Sequence, residues 1–229
     1  MYTEVMAEMG IPICHGYGMT ECPMIAQGGP DDTEAQLMYT DGPPVTACEV
    51  TIVTAEGTVA VQGEDGEVRL RGPMVFKGYT DESLNADAFD EAGRFRTGDL
   101  GHLDADGYVV LTGRLKDVII RKGENISAKE IEDLLYQHPK VGDVAVIGLP
   151  DRERGERVCA CIERAPGADD LTFDEMVEYL KGADLMVQKI PEQLEVMDEL
   201  PRNQTLRKVL KQDLRDMYRD APWEPAPRR

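Results

Sequence analysis

Four basic side chains lie close together in a chain that is otherwise strongly acidic. Arg114, Lys116, Arg121 and Lys122 fall within nine positions of one another, whereas the 229-residue chain has a formal net charge of −19. An acidic protein that handles a phosphate-bearing ligand must create its positive potential locally, and such a cluster can do this. A solvated, charged strand edge is the alternative interpretation, and the cluster alone does not separate the two.

A second group of residues that could bind a ligand is the segment YGMTE, residues 17–21. The face of the Tyr17 ring can stack on a base, the Thr20 hydroxyl can reach a phosphate oxygen, and the Glu21 carboxylate can bind Mg²⁺. Together these contacts would suit a magnesium nucleotide. Taken alone, however, the segment is better explained as a strand-to-loop turn with a core tyrosine.

A third candidate is Asp99, in the segment FRTGDLG. After a Thr-Gly turn, a carboxylate can accept hydrogen bonds from both vicinal hydroxyls of a ribose. An Asx-type turn residue is the alternative. By contrast, the segment GEVRLRGPMVFKGY, residues 66–79, has glycines on both sides of an apolar strand and is interpreted as structural.

Two regions of different character carry these residues. Between residues 45 and 112, short apolar or alternating segments separated by Gly and Asp turns predict a small antiparallel sheet or barrel. The region after Arg114 predicts the order strand–helix–strand–strand–helix–strand–helix, which is a compact α+β domain. The predicted fold class is therefore α/β plus α+β, with domains at 1–115 and 116–229.

The remaining elements are bounded by caps and by glycine. Residues 1–10 predict the end of a helix closed by Gly10, and residues 11–18 predict a short buried strand that leads into a turn. The second region should contain three helices, the first of which begins with Ser127 and Glu130 as a capping box. These helices are predicted at residues 127–139, 172–182 and 205–219.

Composition excludes several classes of partner. The net charge argues against nucleic acid or an anionic membrane surface, because both would be repelled. The five cysteines form no CxxC pair and only three histidines are present, which argues against a zinc site or a disulfide framework and favours reduced thiols. No apolar run approaches the length of about 18 residues that a membrane span needs, and the N-terminus is too acidic for a signal peptide. We therefore expect a soluble cytoplasmic protein.

Taken in order, four segments resemble the later core motifs of the adenylate-forming superfamily. The segments are YGMTE, GEVRLRGPMVFKGY, FRTGDLG and GRLKDVIIRKGENISAKEIE. This superfamily comprises acyl-CoA synthetases, the adenylation domains of non-ribosomal peptide synthesis, and luciferases. The resemblance extends over residues 11–215. It implies a remnant of a large N-terminal AMP-binding domain, with a β-rich, barrel-like subdomain, followed by a small, mobile α+β lid domain.

The resemblance implies a two-step ligase. A carboxylate attacks the α-phosphate of ATP to give an acyl-adenylate and pyrophosphate, and the thiol of coenzyme A then displaces AMP. The implied contacts are adenine with Tyr17 and Gly18, phosphate with Thr20, Mg²⁺ with Glu21, ribose with Asp99 and Arg114, and the acyl group with His15 and Gly16.

Further roles are implied for the second region. Lys116, the third residue after the motif's glycine, is the implied hinge, and the turn at Gly123 and Glu124 approaches the pantetheine channel. The segment LPRNQTLRKVLK resembles the family pattern Pro–Lys/Arg–Thr–x–x–Gly–Lys, whose lysine bridges the carboxylate and the α-phosphate. Here the glycine is absent and one residue is extra, so that Lys208 is the implied lysine and Arg207 is the competing choice.

Family members are more than twice as long as this chain and contain a phosphate loop rich in Ser, Thr and Gly. The segment AQGGPDD is too acidic to serve as that loop. We therefore expect a C-terminal portion whose partner is the missing N-terminal part of the same ligase, and which does not adenylate alone. The segments KGENISAKEIE and VAVIGLPDRERGE favour an acyl-CoA synthetase for a fatty or other hydrophobic monocarboxylic acid. A carrier-protein-loading enzyme, a luciferase-like enzyme and a non-catalytic binding module remain open.

Overall fold

The computed structural model describes residues 2–205, 207–221 and 223. The chain divides into two compact units, Met1–Leu115 and Lys116–Arg229. Each unit has its own hydrophobic core, and each is described by itself below.

The first unit opens with a helix and a small hairpin. Helix α1 spans Tyr2–Met9 and is followed by Gly10 at φ 68°, and strands β1 (Gly16–Met19) and β2 (Cys22–Gln27) pair antiparallel. The strand predicted over residues 11–18 is wrong in its first half, because Ile11 is 53% exposed and β1 begins only at Gly16. Residues 11–15 include an apolar run, but they join no strand ladder.

An antiparallel sheet forms the rest of the first unit. Its strands are β3 (Glu49–Val53), β4 (Gly66–Arg71), β5 (Phe95–Leu103) and β6 (Val109–Arg114), paired in chain order. Helices α2 (Glu34–Tyr39) and α3 (Asn85–Ala88) lie in the connections. The sequence predicted either a small antiparallel sheet or a barrel for this region. The described strands form a four-stranded sheet. Its buried side chains share one core with the β1–β2 hairpin, and this core fixes the hairpin against the sheet.

The second unit is built on a sheet with helices packed against it. In chain order its elements are β7 (Val118–Arg121), β8 (Glu124–Ser127), α4 (Ala128–Leu135), β9 (Val141–Asp151), β10 (Gly155–Arg164), α5 (Phe173–Gly182), β11 (Gln193–Met197) and α6 (Lys211–Tyr218). Strand β10 is central, because it pairs antiparallel with β9 along its length and parallel with β11.

The residues of β9 and β10 alternate between two cores. Val158, Ala160 and Ile162 belong to the larger core with α4 and α5, whereas Cys159 and Cys161 belong to the smaller core with Leu200 and Leu214. Because successive side chains of a strand point to opposite faces, the sheet is buried on both sides. The near-continuous apolar runs of these two strands follow from this arrangement.

The helix predicted over residues 205–219 is too long at its N-terminal end. Helix α6 begins only at Lys211, because the preceding residues fold back on themselves. Arg202 forms an isolated β-bridge with Val209, and the Leu210 N–H donates to the Pro201 carbonyl over 2.8 Å. Among the described residues, no helix is both long and apolar enough to cross a bilayer.

Candidate functional site

A buried carboxylate in the first unit connects two of the predicted site residues. Asp99 is only 4% exposed, and its Oδ2 atom accepts a hydrogen bond from the Tyr17 hydroxyl over 2.7 Å. Its Oδ1 atom lies 2.9 Å from Nε of Arg114. Burial raises the pKa of Tyr17, as does the adjacent Asp99, so the phenol stays protonated and donates. A carboxylate has about four lone-pair positions, and these contacts use two of them.

The sheet positions this group through a local irregularity. Asp99 and Arg114 are paired residues on β5 and β6, and Gly98 at φ 71° interrupts the regular register beside them. The Thr97 hydroxyl donates to the Val68 carbonyl over 2.7 Å and accepts from the Asp99 N–H over 3.0 Å. The Asp99 carboxylate therefore binds Tyr17 and Arg114 from within a strand, which differs from an Asx turn.

Tyr17 also forms part of the core of the first unit. It is 7% exposed and packs among the buried side chains shared by the hairpin and the sheet. The core-tyrosine alternative therefore describes its burial correctly. Any contact between the ring and an adenine is limited to this small exposed part, and the hydroxyl has a function the sequence did not predict, because it orients the Asp99 carboxylate.

Glu21 is held by a residue that sequence reasoning missed. The Tyr79 hydroxyl donates to Oε1 of Glu21 over 2.9 Å, and the Phe76 N–H donates to the Glu21 carbonyl over 2.7 Å. The Asn85 side chain accepts from the Tyr79 N–H over 2.7 Å, which fixes the tyrosine backbone. Partial burial and the neighbouring Glu21 carboxylate raise the pKa of Tyr79. No spacing rule links residues 58 positions apart, so the segment ending at Tyr79 was interpreted only as structural.

A single carboxylate can fit Mg²⁺ when a nucleotide supplies the remaining ligands. Magnesium is often bound through one or two carboxylates together with substrate phosphates and water. Glu21 is half-buried in the turn directly before β2, with one oxygen held by Tyr79. Within the described part of the chain, no group of three or more His, Cys, Asp or Glu side chains could hold a metal ion by itself.

The other predicted residues of this unit lie in or beside the hairpin. Thr20 is exposed at the turn between β1 and β2, and the half-buried His15 accepts the Gly28 N–H at its carbonyl over 2.8 Å. At Gly16 and Gly18, close packing leaves no room for a larger side chain. A Cβ atom at Gly18 would lie 2.3 Å from the Pro23 carbonyl oxygen, and one at Gly16 would lie 2.5 Å from a side-chain oxygen of Gln27.

In the second unit, the predicted pantetheine turn is a tight hairpin between β7 and β8. Lys122 and Gly123 occupy the turn at φ 52° and 85°, with Arg121 and Glu124 paired on either side. Positive φ at both central residues is the signature of the type I′ turn, which suits the twist of a two-residue hairpin. The Lys122 N–H donates to the Arg154 carbonyl over 2.8 Å, which holds the turn in place.

The basic cluster at residues 114–122 serves several separate purposes. Within the first unit, Arg114 pairs with Asp99. Within the second unit, Nε of Arg121 lies 2.5 Å from Oε1 of Glu192. Lys116 and Lys122 are exposed. The cluster therefore contributes two cations to ion pairs and two to solvent-facing turns, which combines the two interpretations that the sequence left open.

Lys116 lies in a 3₁₀ turn, Leu115–Asp117, at the boundary between the two units. The Asp117 carboxylate lies 3.0 Å from Nη2 of Arg215 and 3.6 Å from Nζ of Lys211, both on α6. Two residues before Lys116, Arg114 is held by Asp99. The exposed Lys116 thus stands between two residues that are each fixed to their own unit, which is what a hinge requires, but the hinge stays a prediction.

Residues 200–205 and 207–210, named here the lysine loop, include Lys208. The Asn203 N–H donates to the Lys208 carbonyl over 2.9 Å, and the Lys208 N–H donates to Oδ1 of Asn203 over 3.0 Å. Arg207 adopts φ 56°, a left-handed conformation that favours glycine, and its side chain lies 3.1 Å from Glu199. Leu206 lies outside the described residues. Lys208 therefore follows a residue with glycine-like backbone geometry, as the family pattern has it.

The five cysteines are all free thiols, and four of them are buried. The Sγ atoms of Cys159 and Cys161 are 3.9 Å apart beneath the lysine loop, in the smaller core of the second unit. In the first unit, burial and the neighbouring Cys22 thiol raise the pKa of Cys48 to about 12. The Cys48 thiol is therefore protonated at neutral pH, and a protonated thiol is a poor nucleophile and a poor metal ligand.

The two units match two related family models. Residues 1–80 match the AMP-binding enzyme model, and residues 130–207 match the model of the AMP-binding enzyme C-terminal domain. Together with the ordered motifs and the fold, these matches define the class: the chain belongs to the AMP-binding enzyme family. The family resemblance drawn from the motifs is thereby confirmed.

Similar curated proteins include ligases of two kinds. The chain is 39% identical over 196 residues to the medium-chain fatty-acid–CoA ligase of Escherichia coli strain K12, covering 85% of this chain and 35% of the relative. It is 35% identical over 212 residues to the vibriobactin-specific 2,3-dihydroxybenzoate-AMP ligase of Vibrio cholerae, covering 92% of this chain and 38% of that enzyme. The chain therefore spans little more than a third of the length of these relatives.

Solved structures share the fold. The ATP-bound MatB of Rhodopseudomonas palustris matches with a TM-score of 0.87 and 34% identity over 96% of this chain and 43% of its own. The o-succinylbenzoate CoA synthetase of Bacillus subtilis, solved with its acyl-adenylate intermediate, matches with a TM-score of 0.81 and 34% identity, covering 96% and 43% of the two chains. The predicted mixed α/β fold class is thus confirmed.

Proposed function

We propose that this chain is a C-terminal portion of an AMP-forming acid–thiol ligase, in which the first unit binds the nucleoside and the second unit completes the reaction. The observation that carries the proposal is the buried Asp99 carboxylate, held between Tyr17 and Arg114, in a chain of this family. Its remaining lone pairs suit the two vicinal hydroxyls of a ribose, which are donors at matching spacing.

The other residues of the first unit have complementary roles in this proposal. Tyr17 and Gly18 border the adenine, Thr20 contacts a phosphate oxygen, and His15 and Gly16 line the acyl side. Glu21, with its carboxylate fixed by Tyr79, would hold Mg²⁺. The ion, when bound, neutralises phosphate charge.

In the second unit, Lys208 is proposed as the lysine that bridges the carboxylate and the α-phosphate. A preorganised ammonium near the charge that develops in the transition state is worth about 3 to 4 kcal/mol. The backbone of Arg207 and its pairing with Glu199 support Lys208 over Arg207 for this role. Lys208→Ala should therefore slow adenylation about a hundredfold to a thousandfold in a ligase that contains this chain, whereas Arg207→Ala should retain it. The opposite pattern would transfer the role to Arg207.

The thiol acceptor is proposed to be coenzyme A, with pantetheine approaching Gly123 and Glu124. The likeness to the Escherichia coli relative, whose name specifies a medium-chain fatty acid, favours a hydrophobic monocarboxylic acid as substrate. The similar Vibrio cholerae ligase, whose name specifies an acyl-adenylate, keeps a carrier-loading enzyme as the second candidate. The two candidates can be separated by giving a ligase that contains this chain the pre-formed acyl-adenylate together with either coenzyme A or a carrier protein. Only the true acceptor should become acylated.

Lys116 is proposed as the hinge between the two half-reactions. Proline fixes φ, so Lys116→Pro should stop a residue there from moving between two backbone conformations. One half-reaction should then be lost much more than the other in a ligase that contains this chain. Equal loss of adenylation and of thioester formation would reject the hinge.

The nucleoside site can be tested on the chain itself. Calorimetry should detect saturable binding of AMP, and Asp99→Asn should weaken it at least about tenfold, as expected when hydrogen bonds to a charged acceptor are lost. Asp65→Asn is the matched control, because that carboxylate lies in the same unit but pairs with His102 near the surface. If the folded wild-type chain binds neither AMP nor coenzyme A, the ligase proposal fails and an interaction module is favoured. ATP–pyrophosphate exchange by the chain alone would overturn the expectation that it does not adenylate by itself.

A further inference from the structure

Two strands of the second unit place two carboxylates opposite each other. Asp143 on β9 and Glu163 on β10 are paired residues, at the point where the register of the two strands shifts. Like charges at such a position repel, and the two side chains are largely sheltered from solvent, at 28% and 25% exposed. This acidic pair, Asp143 and Glu163, therefore needs a cation between its members.

The cation is Arg202, at the start of the lysine loop. Its Nη2 atom donates to Oδ2 of Asp143 and, over 3.1 Å, to Oε2 of Glu163. The hydrogen bond with Asp143 raises the pKa of Arg202, although burial opposes this, and the side chain is only 16% exposed. Glu163 also accepts the Leu200 N–H over 3.0 Å, so the same carboxylate holds the first residue of the loop.

Arg202 also holds the far side of the loop. Its Nη1 atom donates to the Arg207 carbonyl over 3.2 Å, next to Lys208 in the chain. Its backbone bridges Val209, so the residues before and after Lys208 are both connected to Arg202. A planar guanidinium can make these three contacts in fixed directions, whereas a lysine ammonium is a compact point charge.

The loop needs such external support. Arg207 is held at φ 56°, which costs a residue with a side chain about 1 kcal/mol or more. Compared with the family pattern, the loop also has one extra residue before its lysine. A longer loop with a strained residue would otherwise have more conformations available to it, and the position of Lys208 would be less defined.

We propose that Arg202 is a positioning residue: seated between Asp143 and Glu163, it fixes the backbone around Lys208 and so places the ammonium for adenylation. The catalytic half of this statement rests on the function proposed above. The structural half, that Arg202 orders the lysine loop, is independent of it.

The structural half is tested on the full chain by amide hydrogen exchange. In Arg202→Gln, the Lys208 and Asn203 amides should exchange about tenfold faster or more, the factor that one charge-assisted hydrogen bond provides. The buried amides of Ile147 and Val158 serve as the internal reference for stability of the unit. Because Arg202→Gln leaves two carboxylates facing each other, the double variant Arg202→Gln with Asp143→Asn is measured too, since it removes that repulsion and should give the same loop-specific loss.

Arg157→Gln is the matched control for a merely structural effect. Arg157 is 5% exposed on β10 and binds Gln193 over 2.8 Å, away from the lysine loop. Its loss should speed exchange of the core amides and of the loop amides together. If Arg202→Gln and the double variant also leave the ratio of loop to core exchange unchanged, Arg202 does not order the loop and the proposal is overturned.

The catalytic half is tested in a ligase that contains the chain. Arg202→Gln should slow adenylation about a hundredfold, the effect of a misplacement of about 1 Å, and should do so mainly in kcat. Transfer from a supplied acyl-adenylate to the thiol should be unchanged, and Arg202→Lys should recover part of the adenylation rate. If the loop amides respond as expected but both half-reactions are equally reduced or unchanged, the function assigned to Lys208 is rejected while the ordering of the loop by Arg202 stands.

Discussion

Replacing Tyr17 by phenylalanine removes one buried hydrogen bond and keeps the aromatic ring. The hydroxyl donates to Asp99 over 2.7 Å, and both residues are less than a tenth exposed. A hydrogen bond to a charged group is worth about 1.5 to 3 kcal/mol, and an acceptor left buried has a similar cost. We therefore expect Tyr17→Phe to lower the free energy of unfolding of the first unit by about 2 kcal/mol.

The matched control is Tyr108→Phe, the same substitution at another tyrosine–aspartate pair of the first unit. The Tyr108 hydroxyl donates to Asp32 over 2.8 Å, but it lies nearer to solvent. Its loss should change stability much less, because water can replace the bond. Hydrogen exchange of the Val68 and Leu70 amides reports the first unit, whereas Trp223 fluorescence reports the second unit and should not respond.

The pH dependence gives the same prediction a second readout. Burial raises the pKa of Tyr17 above its ordinary value of about 10, so the folded unit holds this proton more tightly than the unfolded chain. The resulting stability is fully present below pH 10 and is lost progressively as the pH rises beyond it. Tyr17→Phe should therefore make the free energy of unfolding fall less steeply with pH above about pH 10. If Tyr17→Phe and Tyr108→Phe have equal effects on stability and on this pH dependence, the buried bond to Asp99 does not stabilise the unit.

Three other perturbations test separate parts of the structure. Burial alone would raise the pKa of Asp90, but hydrogen bonds from the Arg94 N–H and the Arg69 guanidinium lower it to about 2. Its stabilisation is present above pH 4 and is lost as the pH falls towards 2, so Asp90→Asn should flatten the acid limb measured by circular dichroism. Arg207→Gly should relieve the left-handed strain and stabilise the second unit by up to about 1 kcal/mol in a urea titration of Trp223 fluorescence; destabilisation would show that the Arg207 side chain contributes more than its strain costs. Because of the net charge of −19, raising KCl from about 0.05 to 1 M should raise the melting temperature in calorimetry, and a fall would contradict dominant self-repulsion.

Local patterns in the sequence were sufficient for many of the elements. Ser127 accepts the Glu130 N–H at the start of α4, and Thr172 forms a capping box with Glu175 at the start of α5, because these caps involve residues three positions apart. The helix predicted over residues 205–219 is too long at its N-terminal end, since α6 begins at Lys211. Its helical pattern was overridden by contacts with Pro201 and Arg202 that no helical periodicity reveals.

For the candidate site, the sequence by itself determined which residues belong to the family motifs and therefore which side chains to consider. Only the tertiary structure decided how they are held. Packing of the β1–β2 hairpin against the four-stranded sheet brings Tyr17 to Asp99, 82 positions away, and the fold of the first unit brings Tyr79 to Glu21, 58 positions away. The fold of the second unit brings Arg202 between Asp143 and Glu163. Cap and turn preferences act between neighbours in the chain, whereas these contacts arise from strand pairing and packing between distant segments, whose register a single sequence does not encode in any local pattern.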